Sequence, residues 1–310
     1  MPKIPLPAHS AYEMIVVGAS NAGLSAALVL GRARRRVLVL DDGGLPATAA
    51  LHPHGFFARD GSDPRRALGL GREQLLPYPV EFSAHEARQA KLTPAGIVLT
   101  LGSGTVVTTP SLLLATGMSD ELPAIPGVAA LWGRGVYHCP YCHGWENRYN
   151  QVAVYGGGRA GYQQAVLLHH WCPRLTLNTD GPADLTPEQR AHLRALAIVV
   201  EEAPVSALDG SAKCLRALEL QDGRRQPVDA VFLRPNQRQR STLAAQLGCA
   251  FTPEGGYVQV SETGLTGIPG VYAVGDMTGP FQQAILAAAS GTRAAAALND
   301  ALILRRSAAA

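Results

Sequence analysis

The chain has 310 residues, 47% of them apolar and only 16% charged, with a formal net charge of +3. That length and apolar content exclude a disordered protein and suit two domains with a sizeable core. So small a charge gives no footing for a nucleic-acid-binding role.

Five cysteines at uneven spacing do not form a secreted disulfide scaffold, so a reducing cytoplasm is the expected compartment. The first apolar run, Met14-Ile15-Val16-Val17, stops at Gly18 and is too short for a signal peptide. The alanine-rich stretch 284–298 is broken by Ser290, Gly291, Thr292 and Arg293, and no membrane span is expected.

In chain order, Met14 to Val17 reads as a buried strand. Gly18-Ala19-Ser20-Asn21-Ala22-Gly23 follows, and residues 24–30 read as a helix. Strand, glycine turn and helix together suit a pyrophosphate. Gly18 permits the turn, Gly23 lets helix and strand pack closely, and the helix amides meet the phosphate. Ser20 stands where the usual pattern has its middle glycine. A second strand, residues 37–40, ends at Asp41, 18 residues after Gly23, where a ribose-binding carboxylate belongs. Arg32, Arg34, Arg35 and Arg36 are expected to cap the intervening helix.

Residues 52–79 read as a long loop with a short helix at 64–70. Strand-like runs at 97–99 and 106–107 suggest a small β-meander, and Leu112-Leu113-Leu114-Ala115-Thr116-Gly117 suggests another buried strand ending in a turn.

The next stretch is His138-Cys139-Pro140-Tyr141-Cys142-His143-Gly144. Cys139 and Cys142 can cycle between dithiol and disulfide, carrying two electrons. Three other readings stay open. Two Cys and two His could bind zinc, although structural zinc sites use two ligand pairs separated by a loop. Cys139-x-x-Cys142-His143 matches the c-type haem attachment pattern, and two cysteines can also be simple buried hydrophobes. His143, with an ordinary imidazole near neutrality, is suited to take a thiol proton; a histidine bonded to backbone is the plain alternative.

The strand–turn–helix pattern then recurs 138 residues on. Residues 152–155 form a strand, Gly156-Gly157-Gly158-Arg159-Ala160-Gly161 supplies Gly156, Gly158 and Gly161, and a helix covers 162–168. After the next strand, 175–177, Asn178 occupies the place equivalent to Asp41, and no arginine pair follows. This predicts a dinucleotide fold that has lost its nicotinamide, so use of NAD(P)H is doubtful. Thr186 and Pro187 open a helix to 196. Residues 199–200, 215–220 and 230–233 read as strands of a sandwich-like half, and Arg234 to Arg240 as a solvated basic loop. Residues 270–276 form a strand ending in Gly275-Asp276, and residues 282–298 form a helix. A carboxylate there can bond a sugar-like hydroxyl.

In order, these motifs resemble the low-molecular-weight thioredoxin reductase family of flavoproteins over residues 11–304. The resemblance implies an α/β fold of two nested three-layer dinucleotide-binding domains. One is a discontinuous FAD domain (1–117 and 243–310), and the other a central NAD(P)-binding-like domain (118–242) carrying the cysteines. It implies FAD contacts from Gly18, Ser20, Asn21, Ala22, Gly23, Asp41, Ala115, Thr116, Gly117, Gly275, Asp276, Gln283 and Ala284. Two departures stand out: His143 replaces an Asp after the second cysteine, and Asn178-Thr179-Asp180 replaces a His-Arg-Arg run. Cys-Pro-Tyr-Cys-His-Gly is more similar to dithiol oxidases that close disulfides in small molecules such as gliotoxin and holomycin. Those relatives use FAD and O2, and both branches pair as cytosolic homodimers. The implied catalytic residues are Cys139, facing the substrate, Cys142, facing the flavin, and His143. The rivals are a disulfide reductase that passes electrons from a nicotinamide to a thioredoxin-like protein, and a c-type haem electron carrier.

Overall fold

Two short apolar strands, Met14–Val17 and Val152–Tyr155, each found a parallel sheet of five strands. A computed structural model describes residues 12–43, 53–211, 214–254 and 256–308. The described residues divide into two compact units. One comprises those of 12–43, 56–119 and 237–308; the other comprises 53–55 and those of 120–236.

In the first unit the strand order is Val271–Ala273, Leu112–Leu114, Met14–Val17, Val37–Leu40, Val80–Ser83, all parallel. Side chains alternate across the sheet. Ile15, Val17, Leu38, Leu40, Leu112 and Leu114 pack with Ile97, Leu99 and Leu101 of the antiparallel sheet Ala87–Thr93, Gly96–Leu101 and Val106–Thr109. Met14, Val16, Val37, Val39 and Leu113 pack on the opposite face with Ala26, Ala27 and Leu30 of the helix Asn21–Arg32. The long helix Ala284–Ala308 adds Ala294, Ala295 and Leu298 to that face. At Gly291 the two helices nearly touch, since a Cβ there would lie 2.0 Å from the Ala22 carbonyl oxygen. Each large side chain so buried contributes about 1.5–3 kcal/mol.

The second unit repeats the plan in the order Val199–Glu201, Leu175–Asn178, Val152–Tyr155, Ala230–Leu233, Val136–Tyr137, again all parallel. Its antiparallel sheet, Val205–Ser211, Cys214–Leu220 and Arg225–Pro227, covers one face; the helices Gly158–His169 and Pro187–Ala195 supply the other. Thr186 and Gln189 form a reciprocal cap at the start of the latter helix.

Three expectations change. The strands at 199–201 and 230–233 lie in the parallel sheet rather than in a sandwich with 214–220. The basic stretch after Arg234 is no loop: Asn236–Gln239 is a strand paired with Met118–Glu121, because backbone pairing does not need apolar side chains. Arg35 is no helix cap but is buried, donating to Asn299 at 2.7 Å and to Glu13 at 3.1 Å. Among the described residues, no helix is long and apolar enough to cross a membrane.

Candidate flavin and disulfide sites

In the first unit, the residues singled out by sequence gather at the carboxyl ends of four parallel strands, where open α/β sheets bind ligands. Gly18 follows the first strand with φ +105°, its amide donating to the Leu40 carbonyl at 2.8 Å. A Cβ at Gly18 would meet the Ala115 carbonyl oxygen at 2.3 Å, and one at Gly23 would meet the Gly18 carbonyl oxygen at 1.8 Å. Only glycine fits either place. Ser20 is the extended residue before the helix, and its side chain makes no capping bond, so the amides of the first turn, Asn21, Ala22 and Gly23, have no cap from it. Asp41 ends the second strand. Ala115, Thr116 and Gly117 leave the strand Leu112–Leu114, with Thr116 Oγ1 bonded to Met277 Sδ at 3.5 Å.

Beyond the strand Val271–Ala273 the chain makes a short 3₁₀ turn, Gly275–Thr278, anchored by the Gly275 amide donating to Ser290 Oγ at 3.0 Å. A cavity of about 440 Å³ lies here, lined in part by Gly275, Asp276, Thr278, Ala287 and Ser290. Gln282 is tied by paired amide bonds of 2.8 Å to Gln237, while Gln283 and Ala284 lead into the long helix. A glycine cradle, a helix start without a side-chain cap and an acid at a neighbouring strand end fit a dinucleotide.

In the second unit, Cys139 and Cys142 are joined as a disulfide, with their Cα atoms 5.3 Å apart across the short helix Pro140–His143. Both are partly exposed. Tyr137, from the edge strand of the parallel sheet, stacks on His143 with ring centroids 4.2 Å apart. Burial lowers the affinity of His143 for a proton to a pKa of about 4, and the nearby His138 and His54 act in the same direction. The sequence suggested an ordinary imidazole near neutrality. The structure corrects that, because the ring is desolvated under Tyr137. Nor is the ring bonded to backbone through Nδ1, which is buried with no hydrogen-bond partner. Asn147 instead holds the His143 carbonyl at 2.8 Å.

His54 is a residue that sequence reasoning passed over as part of a loop. Its Nε2 lies 3.5 Å from Glu146 Oε1, three residues beyond His143. Burial also lowers the pKa of His138, partly countered by Asp120. Among the described residues, no group of three or more His, Cys, Asp or Glu is arranged to hold a metal.

The second glycine turn makes the same close backbone approach as the first, but its helix starts one residue earlier, at Gly158, where the first turn has the extended Ser20. A Cβ at Gly161 would lie 1.9 Å from the Gly156 carbonyl oxygen, and Gly158 opens the helix Gly158–His169 with φ +62°. Its strand end differs. Asn178 is fully buried, donating to Gln226 at 2.8 Å. Asp180 accepts from the Tyr155 hydroxyl at 2.5 Å and from the Val205 amide at 2.8 Å. Nearby arginines are matched to carboxylates, Arg190 to Glu202 at 2.5 Å and Arg224 to Glu201 at 2.6 Å.

The family model for pyridine nucleotide-disulphide oxidoreductases matches residues 12–291. The chain belongs to that family. It is similar to thioredoxin reductase sirT of Leptosphaeria maculans, with 27% identity over 307 residues covering 94% of each chain. Among solved structures it is similar to HlmI, at 34% identity and a TM-score of 0.92 over 98% of this chain and 96% of that one. An oxidoreductase from Agrobacterium tumefaciens follows the same fold at 32% identity and a TM-score of 0.89, over 95% and 99%. The protein is an FAD-dependent oxidoreductase with the thioredoxin reductase-like pair of dinucleotide-binding folds.

Proposed function

We propose that the protein is a dithiol oxidase, which closes a disulfide in a small-molecule or peptide dithiol through Cys139 and Cys142. The observation that carries this reading is the contrast between the two glycine turns. The first has Asp41 at its strand end for a ribose. The second has a buried Asn178, an Asp180 consumed by Tyr155 and Val205, and arginines paired to carboxylates. That leaves no arginine pair for the phosphate of NADPH, so electrons enter from the thiol side. The similarity of Cys-Pro-Tyr-Cys-His-Gly to the small-molecule dithiol oxidases supports the same direction. The resemblance extends the reading to a cytoplasmic homodimer.

In this mechanism a substrate thiolate attacks Cys139, the Cys139–Cys142 bond breaks, and a mixed disulfide forms. The second substrate thiol displaces Cys139. The substrate leaves with its own S–S bond, and the enzyme holds the two electrons as a thiol and a thiolate. His143, neutral because it is buried, accepts the proton of the attacking thiol. Tyr137 stacked on its ring keeps water away and fixes its orientation. Gly18, Ser20, Asn21, Ala22 and Gly23 hold the FAD pyrophosphate, Asp41 its ribose, Ala115, Thr116 and Gly117 line its path, and Gly275, Asp276, Gln283 and Ala284 hold its ribityl and ring end. When bound, FAD supplies the two-electron acceptor that reoxidises the pair and delivers the electrons to O2 as hydrogen peroxide.

The test is anaerobic reduction of the purified flavoprotein. A small dithiol such as dithiothreitol bleaches the flavin absorbance, and stoichiometric NADPH does not. In Cys142→Ser, the Cys139 thiolate attacks an added small acyclic disulfide, releases one of its sulfurs as a thiol and keeps the other as a mixed disulfide visible by mass spectrometry. Rapid bleaching by NADPH sinks the oxidase reading and makes the protein a reductase.

A further inference from the structure

We propose that Arg72 is a cofactor-binding residue of this protein: it holds Asp41 for the FAD ribose and donates a second N–H to the adenosine half. Arg72 sits near the end of the helix Pro64–Glu73, 31 residues from Asp41. Its terminal nitrogen donates to Asp41 Oδ2, leaving Oδ1 outside that bond. Its guanidinium carbon lies 6.0 Å from the centroid of the Phe82 ring, on the strand beside the one that Asp41 ends. Gly71, the preceding residue, lies against the glycine-turn helix, where a Cβ would come within 3.2 Å of Leu24. The guanidinium therefore has the Asp41 carboxylate and the Phe82 ring as neighbours at the carboxyl end of the sheet.

Two observations say that this arrangement anticipates a ligand. None of the residues of the helix Pro64–Glu73 is fully buried, so core packing does not explain the inward reach of Arg72. Its Nε is nevertheless buried and has no hydrogen-bond partner. The protein itself closes off Nε, so the N–H offered to a ligand is on a terminal nitrogen of this side chain, 32% of whose surface is exposed. The ribose hydroxyls and adenine ring nitrogens of FAD are acceptors of the required kind. The proposal rests on FAD alone and not on the direction of electron flow.

The test is the dissociation constant for FAD, read from the rise in free flavin fluorescence, for the parent protein, Arg72→Ala, Arg72→Lys, Asp41→Asn and the Asp41→Asn/Arg72→Ala double variant. Loss of a charge-assisted contact predicts a weakening of about tenfold or more in Arg72→Ala. Arg72→Lys, which keeps the charge but not the fork, recovers only part of it. The double variant is weakened by less than the sum of the two single losses, because part of the Arg72 effect passes through Asp41 and part is its own contact. ADP, which carries the adenosine and pyrophosphate without the flavin, loses affinity for Arg72→Ala by about the same factor as FAD does, so its own dissociation constant rises while its ratio to that of FAD stays as in the parent. An unchanged or tighter FAD constant in Arg72→Ala overturns the proposal and makes the guanidinium a stand-in that the ribose displaces. Fully additive losses overturn it as well. Thermal unfolding of the apoproteins separates either result from misfolding: a melting point within a few degrees of the parent's makes the affinity change specific to the cofactor.

Discussion

His143 offers the sharpest quantitative test of the disulfide site. An imidazole at the ordinary value of about 6.5 is only about 9% neutral at pH 5.5. One held down to a pKa of about 4 by burial and by His138 and His54 stays about 97% neutral there. The difference is about tenfold in the concentration of the base. The assay is anaerobic stopped-flow reduction of the flavin by dithiothreitol from pH 5.5 to 8.0, for the parent and for His143→Gln. The parent draws on the neutral thiol, whose proton His143 takes, and His143→Gln on free thiolate, so each rate ratio is multiplied by the thiolate-to-thiol ratio of dithiothreitol at that pH. General-base catalysis predicts an uncorrected ratio of about 100 or more near neutral pH, and the buried ring predicts that the corrected ratio stays flat across the range. A corrected ratio that drops about tenfold between pH 7.5 and 5.5 refutes the depressed basicity. An uncorrected ratio near one at every pH refutes the role of His143 altogether. The same depression affects stability. Because the fold favours the neutral ring, its contribution is complete above about pH 6.5 and is lost as the pH falls toward 4.

Three further outcomes follow from the geometry. Gly23→Ala places a methyl group against the Gly18 carbonyl, so the purified variant is colourless and does not take up added FAD, as an absorbance spectrum shows. Asp180→Ala removes the acceptor for Tyr155 and Val205. It lowers stability by about 1–3 kcal/mol in urea unfolding, and on the proposed reading the variant, like the parent, shows no flavin bleaching with NADPH. His54→Asn removes one of the neighbours that hold the His143 pKa down, so an NMR titration of the His143 ring shows it above about 4, though less raised than full exposure would make it, because burial is the larger cause.

The strands and helices that carry the flavin cradle were legible because each combines a fully apolar run with glycine at a fixed offset. The same signals located the second glycine turn at Gly156, and the amide in place of an acid at Asn178 was read directly from the sequence. The strand Asn236–Gln239 escaped because Asn, Gln and Arg show no period-2 apolar pattern, and the strand Ala87–Thr93 is mostly polar for the same reason. His54 and Arg72 were not legible as site residues: each meets its partner across a long stretch of sequence, 54 to 146 and 41 to 72, and nothing local marks the encounter. The low basicity of His143 depends on the Tyr137 ring above it, a packing fact that composition does not carry.

The two parallel sheets recruit their outermost strand from opposite directions along the chain, and this bears on synthesis. In the second unit the edge strand Val136–Tyr137 precedes the founding strand, so that sheet is complete once Ala230–Leu233 has been made. In the first unit Leu112–Leu114 must wait for Val271–Ala273, and its helical face for residues 284–308. A ribosome therefore delivers every strand of the central unit while the flanking unit still exposes one apolar sheet edge. The disulfide-bearing unit is expected to fold first, as an insert in an unfinished host. The arrival of Val271–Ala273 and of the helix that follows then closes the host sheet, and only after that can the cofactor find its complete cradle.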